Sequence, residues 1–139
     1  MMKSMPLLLA PAGSMRPLKT ALRFGADAVY CGAKQYGLRA QAGNFEEEEL
    51  AEAVCLAHAA GAQLYLTLNI FASDGDLPGM VRMAQTARDI GVDAVIVSDL
   101  GAIARIAREV PGLAIHVSTQ ASTMNAQAAR VYRDLAASR

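Results

Sequence analysis

Two periodicities alternate along the chain. Short apolar runs of strand length are separated by longer stretches striped at helical spacing. Pro6-Leu7-Leu8-Leu9-Ala10 is halted by Pro11-Ala12-Gly13 and reads as a buried strand. Ser14 is placed to cap a helix with Pro17 in its first turn, and Gly25 closes it. Ala28-Val29-Tyr30-Cys31 is the second strand, ended by Gly32 and followed by a glycine-punctuated loop from Ala33 to Asn44. The next helix opens on Glu46-Glu47-Glu48-Glu49, negative charge at the positive end of the helix dipole. Leu50, Ala53, Val54 and Ala57 form its apolar face, and Gly61 ends it.

The pattern then repeats. Leu64 to Asn69 predicts a third strand, Leu77 to Ile90 a helix closed by Gly91, and Ala94 to Val97 a fourth strand. Ile103, Ile106, Ala107 and Val110 stripe the following helix, which Pro111-Gly112 stops. Leu113 to Val117 is the fifth strand and Ala126 to Leu135 the last helix. Gly25-Ala26-Asp27-Ala28-Val29 and Gly91-Val92-Asp93-Ala94-Val95 are near copies, each a helix stop leading into a strand. The unit is a βα repeat of about 30 residues, and strands this apolar joined by helices make a parallel α/β sheet with right-handed crossovers.

Five such units fit either a flavodoxin-like doubly wound sheet or part of a (β/α)8 barrel of TIM type, which needs about 250 residues. A doubly wound sheet asks for strands apolar on both faces. Here His116, Ser118 and Gln120 share one face of the fifth strand while Ile115 and Val117 share the other. Thr67 and Asn69 oppose Leu66 and Leu68 in the same way. Polar residues climbing one face toward the carboxyl end suit a barrel interior opening into a site, so the incomplete barrel is preferred. The whole chain, residues 1–139, reads as one partial barrel domain.

Composition narrows the function classes. Thirteen Lys and Arg balance 13 Asp and Glu, so a basic nucleic-acid-binding module is disfavoured. The 53% hydrophobic content excludes disorder. No apolar run approaches the roughly 20 residues of a membrane span. Cys31 and Cys55 have no metal-ligand spacing and form no disulfide framework. The start is too soon broken by Pro11 and Gly13 for a signal peptide, and a cytoplasmic location is the expectation.

Ligands of parallel α/β folds bind at the carboxyl ends of the strands. That rule gathers Tyr30 and Cys31, Thr67 and Asn69, Ser98 and Asp99, and His116, Ser118 and Gln120 at one mouth, with Arg39 on the loop above it. Amides, a carboxylate, an imidazole and a guanidinium suit a small anionic or oxygen-rich ligand. Each has a plainer reading: Asp99 as a helix cap, Asn69 and Gln120 as partners of loop backbone, His116 as a core histidine, Cys31 as a small buried hydrophobe. Asp27 and Asp93 enter strands at the opposite rim, where fixed residues serve stability, and His58 and Cys55 look structural. A Cys31–His116 pair lacks an indicated third member, and no metal site is indicated by spacing.

Leu9-Ala10-Pro11-Ala12-Gly13, Phe24-Gly25-Ala26-Asp27-Ala28-Val29-Tyr30, and Gly37-Leu38-Arg39 with Asn44-Phe45 together resemble the collagenase-like peptidase family U32. Thr67-Leu68-Asn69, Val97-Ser98-Asp99 and His116-Val117-Ser118-Thr119-Gln120-Ala121 continue the match in order. The resemblance implies a bacterial-type protein whose N-terminal domain is barrel-like. It implies either peptidase activity or a role in oxygen-independent hydroxylation of transfer RNA, ribosomal RNA or a quinone precursor. Family members of the second kind hold an iron–sulfur cluster on four cysteines, and neither Cys31 nor Cys55 matches those positions. The signature segment would lie beyond Arg139, so the chain is expected to be inactive alone and to carry no cofactor itself. Tyr30, Arg39, Asn69, Asp99, His116, Ser118 and Gln120 stand at matching blocks and are the expected substrate-binding wall. The alternative is a non-catalytic fragment or a self-associating half-barrel, and the open edges of the first and fifth strands predict a homo-oligomer or a poorly stable monomer.

Overall fold

The computed structural model describes residues 5–38 and 44–139. The elements run β1 (Leu9–Pro11), α1 (Met15–Arg23), β2 (Ala28–Gly32), α2 (Glu47–Ala59), β3 (Gln63–Leu68), α3 (Leu77–Ile90), β4 (Ala94–Val97), α4 (Leu100–Glu109), β5 (Ala114–Val117) and α5 (Ala126–Asp134), with a short 3-10 turn at Thr119–Ala121. All strand pairs are parallel and the sheet order is β1-β2-β3-β4-β5. A doubly wound sheet must reverse its order at a switch point. No reversal occurs, and that alternative is set aside.

The helices cover one face only. Val29, Cys31, Leu64, Leu66, Leu68, Val95, Val97 and Ile115 pack with Leu18, Leu50, Val54, Met80, Ala84, Ile103 and Ile106 in one core. The opposite face carries a smaller cluster of Ala28, Tyr65 and Ala94, with Tyr30, Ile96 and Ala114 against it. Register aligns its side chains in rows. Pro11, Tyr30, Tyr65, Ala94 and Ala114 form one, and Gly32, Thr67, Ile96 and His116 the next toward the carboxyl ends.

Helix ends follow the local chemistry. Glu46 and Glu49 form a reciprocal capping box at the start of α2. Gly25, Gly61, Gly91 and Gly112 all take positive φ after α1 to α4, and Ala136 takes the same left-handed conformation (φ 71°) after α5.

The first strand departs from expectation. The run from Pro6 to Ala10 predicts a buried strand, but only Leu9–Pro11 is a strand, and Leu7, Leu8 and Leu9 stay exposed. An edge strand has one neighbour, and apolarity alone cannot bury it. The fifth strand departs in the other direction. Its expected open edge is paired in part, because Ala137 bridges to Ile115, Ser138 N–H donates to Ile115 O at 2.8 Å, and Val117 N–H donates to Arg139 O at 2.7 Å. No helix among the described residues is long and apolar enough to cross a membrane.

At the amino-terminal rim the two near-copy segments make the same bond. Asp27 Oδ2 accepts from Leu8 N–H at 2.7 Å, and Asp93 Oδ2 accepts from Leu64 N–H at 2.8 Å and contacts His58 Nε2 at 2.9 Å. Leu64 is fully buried, so losing its partner strands a buried donor. We expect Asp93→Ala to cost about 1–3 kcal/mol in urea unfolding followed by circular dichroism, and Asp93→Asn, which keeps an acceptor, to cost less. Equal stabilities for the two variants would show that this bond does not hold the rim.

Candidate functional site

A cleft of about 520 Å³ opens on the helix-free face at the carboxyl ends of the strands. Tyr30, Tyr65, Ile96 and His116 line its floor, and Thr67, Asn69, Ser118 and Gln120 its polar side. Its size lies within the range of small-ligand sites.

The cleft's polar centre is the Asn69 carboxamide, one residue past β3. Its Oδ1 accepts from Leu38 N–H at 3.3 Å, and its Nδ2 donates to Gln120 Oε1 at 3.2 Å and to Ser118 Oγ at 3.4 Å. Ser118 Oγ also donates to Gln120 Oε1. One side chain thereby ties the loop after β2 to the segment after β5. Ser118 is 6% exposed and fully engaged, whereas Gln120 is exposed and no partner of its Nε2 is present among the described residues.

Beneath this centre, Tyr65 spans the small Ala94 to meet His116 edge-on, with ring centroids 4.6 Å apart at 80°. Tyr65 Oη donates to Gln63 at 2.6 Å and accepts from Arg139 at 3.2 Å. Burial, and secondarily the Arg139 charge, hold the half-buried His116 below the ordinary imidazole value.

The structure brings Tyr30, Asn69, His116, Ser118 and Gln120 to one cleft. Asp99 is placed otherwise: it is the N-cap of α4, its Oδ1 accepting from Ala102 N–H at 2.8 Å, and it does not line the cleft. Arg39 lies outside the described residues. The mouth also includes residues that strand-end reasoning did not single out, namely Tyr65, Ile96, Gly37, Leu38, Asn44 and Arg139. Period-two alternation gives the signal for Tyr65 and Ile96, which share a face with Thr67 and His116. Gly37, Leu38 and Asn44 belong to the loop that the sequence places above the mouth, and Arg139 arrives by long-range pairing that a single sequence does not display.

Cys31 borders the cleft, as its strand-end position predicts, yet it is only 3% exposed and belongs to the core packed with the helices, where burial pushes its thiol up to about 12. It cannot supply a thiolate to His116 on the opposite face. Cys55 is exposed on α2. The two thiols share no site, and among the described residues no three His, Cys, Asp or Glu side chains cluster as metal ligands. The residues present do not fit an iron–sulfur cluster.

The family model for peptidase family U32 matches residues 13–139. The chain belongs to this family. Among U32 relatives and neighbours, the chain is 41% identical to tRNA hydroxylation protein P1 of Bacillus subtilis over 93% of its own length and 31% of the relative's. It is 43% identical to an uncharacterized protease of Methanocaldococcus jannaschii, again over 93% of this chain and 31% of that protein. The chain thus spans about a third of the curated relatives it matches. A solved U32 peptidase structure superposes with a TM-score of 0.77 at 21% identity, over 97% of this chain and 57% of the other, which shows the shared fold.

Two outcomes follow from the site's electrostatics. Iodoacetamide applied to the native chain should label Cys55 and spare Cys31, as read by peptide mass spectrometry. For His116 the folded value lies below the free one, so the unfolded chain takes up the proton first as pH falls. The stability contributed by the neutral ring is complete above about 6.5 and is lost as pH drops through the folded value. Between pH 7.5 and 5, His116→Gln should therefore lose less melting temperature than the wild type. A larger loss in the variant would contradict the burial of a neutral ring.

Proposed function

We propose that this chain forms the substrate-holding wall of a U32 protein that hydroxylates RNA, as part of a longer (β/α)8 barrel. The observation that carries the reading is the state of the nucleophiles. Hydrolysis of a peptide by covalent catalysis asks for a serine or thiol bonded to a base. Ser118 Oγ instead bonds Gln120 and Asn69, and the Cys31 thiol faces the helices. The cleft is equipped to hold and orient. A floor of tyrosine and isoleucine, with carboxamides at one edge, suits a flat ring with a hydrogen-bonding rim, such as a nucleobase.

The balanced charge of the chain fits a grip on a single nucleoside. Contacts to the rest of the RNA, and the redox chemistry of hydroxylation, are assigned to parts of a longer protein. Several relatives named as tRNA hydroxylation proteins support this reading, beside others named as a protease and a collagenase.

A chimera tests it. Residues 13–139 replace the matching segment of the Bacillus subtilis tRNA hydroxylation protein P1, and the product is expressed in a strain whose dependent tRNA hydroxylation has been abolished. We expect hydroxylated nucleosides to return in digested tRNA, read by mass spectrometry, and to fall about 10²-fold or more with Asn69→Ala or Gln120→Ala. A folded chimera that cleaves gelatin peptides and leaves tRNA unmodified would reverse the assignment.

The exposed edge of β1, with Leu7, Leu8 and Leu9 beside it, is read as a self-association surface in this 14.6 kDa chain. Light scattering across a size-exclusion peak should give a discrete multiple of that mass. A clean monomer would remove self-association from the proposal.

A further inference from the structure

Two local choices in this chain are unfavourable when taken singly. Gly79 stands inside α3, where alanine would make the better helix. Tyr36 holds φ at 66°, a left-handed conformation that a bulky residue rarely adopts. The two meet each other. A Cβ on Gly79 would overlap Tyr36 Oη and lie 2.6 Å from Cζ and 3.3 Å from Cε1. The tyrosine ring therefore rests on bare helix backbone, in a seat that any side chain at residue 79 would fill.

The seat lies at the head of a chain of bonds into the cleft. Tyr36 O accepts from Ile70 N–H at 3.3 Å, and the next two residues, Gly37 and Leu38, line the cleft. Leu38 N–H then occupies Asn69 Oδ1, which leaves Nδ2 facing Ser118 and Gln120. Gln120 Oε1 takes donors from both, and no partner of its Nε2 is present among the described residues.

We propose that Tyr36, seated on Gly79, is a positioning residue that fixes the Asn69 carboxamide and so presents Gln120 Nε2 as a donor to an acceptor oxygen of the substrate. The part concerning substrate rests on the RNA-hydroxylation reading above. A ring that merely filled core space would affect the fold as a whole. A positioning ring acts on Leu38, Asn69 and Gln120 and leaves the sheet alone.

Amide hydrogen exchange on the ¹⁵N-labelled chain separates the two roles. Gly79→Ala and Tyr36→Ala should each speed exchange at Leu38 and Ile70 by about tenfold, with Leu66 in β3 and Ala87 in α3 unchanged. The double variant should exchange no faster than the faster single one, because both substitutions break the same contact. Tyr36→Phe should stay close to wild type. In Gly79→Ala the gain in helix propensity opposes the cost of displacing the tyrosine, so the unchanged rates at Leu66 and Ala87, not the melting temperature, show that loosening at Leu38 is local. Uniform acceleration across Leu66 and Ala87, or no change at Leu38, overturns the positioning role. In the chimera, Gly79→Ala and Tyr36→Ala should lower tRNA hydroxylation about tenfold while Tyr36→Phe retains it. Unchanged hydroxylation beside a loosened loop overturns the link to substrate. If the unsubstituted chimera modifies no tRNA, the functional reading falls, and the exchange result alone decides whether Tyr36 positions Asn69.

Discussion

The pleat gives each strand two faces, and all the helices cover the same one. Everything else in the molecule depends on that parity. Val29, Leu64, Leu66, Leu68, Val95, Val97 and Ile115 turn toward the helices, and Tyr30, Tyr65, Thr67, Ile96 and His116 turn away. A slip of one residue in β3 or β5 would exchange the sets and put a threonine or an imidazole into the helix-packed core. The same parity decides the chemistry of two neighbours in β2: Tyr30 faces the cleft, and burial among the helix-facing residues raises the Cys31 thiol above its ordinary value.

Parity also explains what could be read from residues alone. The bounds of α3 and β4 follow directly from periodicity and glycine stops, because Gly91 and the uninterrupted Ala94–Val97 run leave no competing register. The roles of Asp27 and Asp93 at the amino-terminal rim were legible from their repeated context. Leu7 and Leu8 misled, since an apolar run reports a preference for burial and says nothing about how many neighbours a strand has. Asp99 was ambiguous for a chemical reason, as the carboxylate that would bind a ligand is equally a good helix cap. The return of residues 137–139 onto β5 was hidden because alanine, at position 136, takes the conformation that glycine signals in the four earlier units. The contact between Tyr36 and Gly79 joins residues far apart in the chain, and single-sequence patterns carry no trace of it.

The cleft joins a rigid floor to a hydrogen-bonded rim. The floor is set by strand register and needs no further support. The rim depends on Asn69, whose two ends differ chemically: the oxygen serves the loop after β2, and the nitrogen serves the residues after β5. That polarity makes the carboxamide a relay, so that backbone geometry in one loop determines which atoms another loop offers to solvent.

The two rows on the helix-free face run in opposite sense. From β2 to β5 one goes from large to small, Tyr30, Tyr65, Ala94, Ala114, and the other from small to large, Gly32, Thr67, Ile96, His116. The helix-free face therefore steps diagonally from strand to strand and is handed, by nothing more than the order of side-chain sizes.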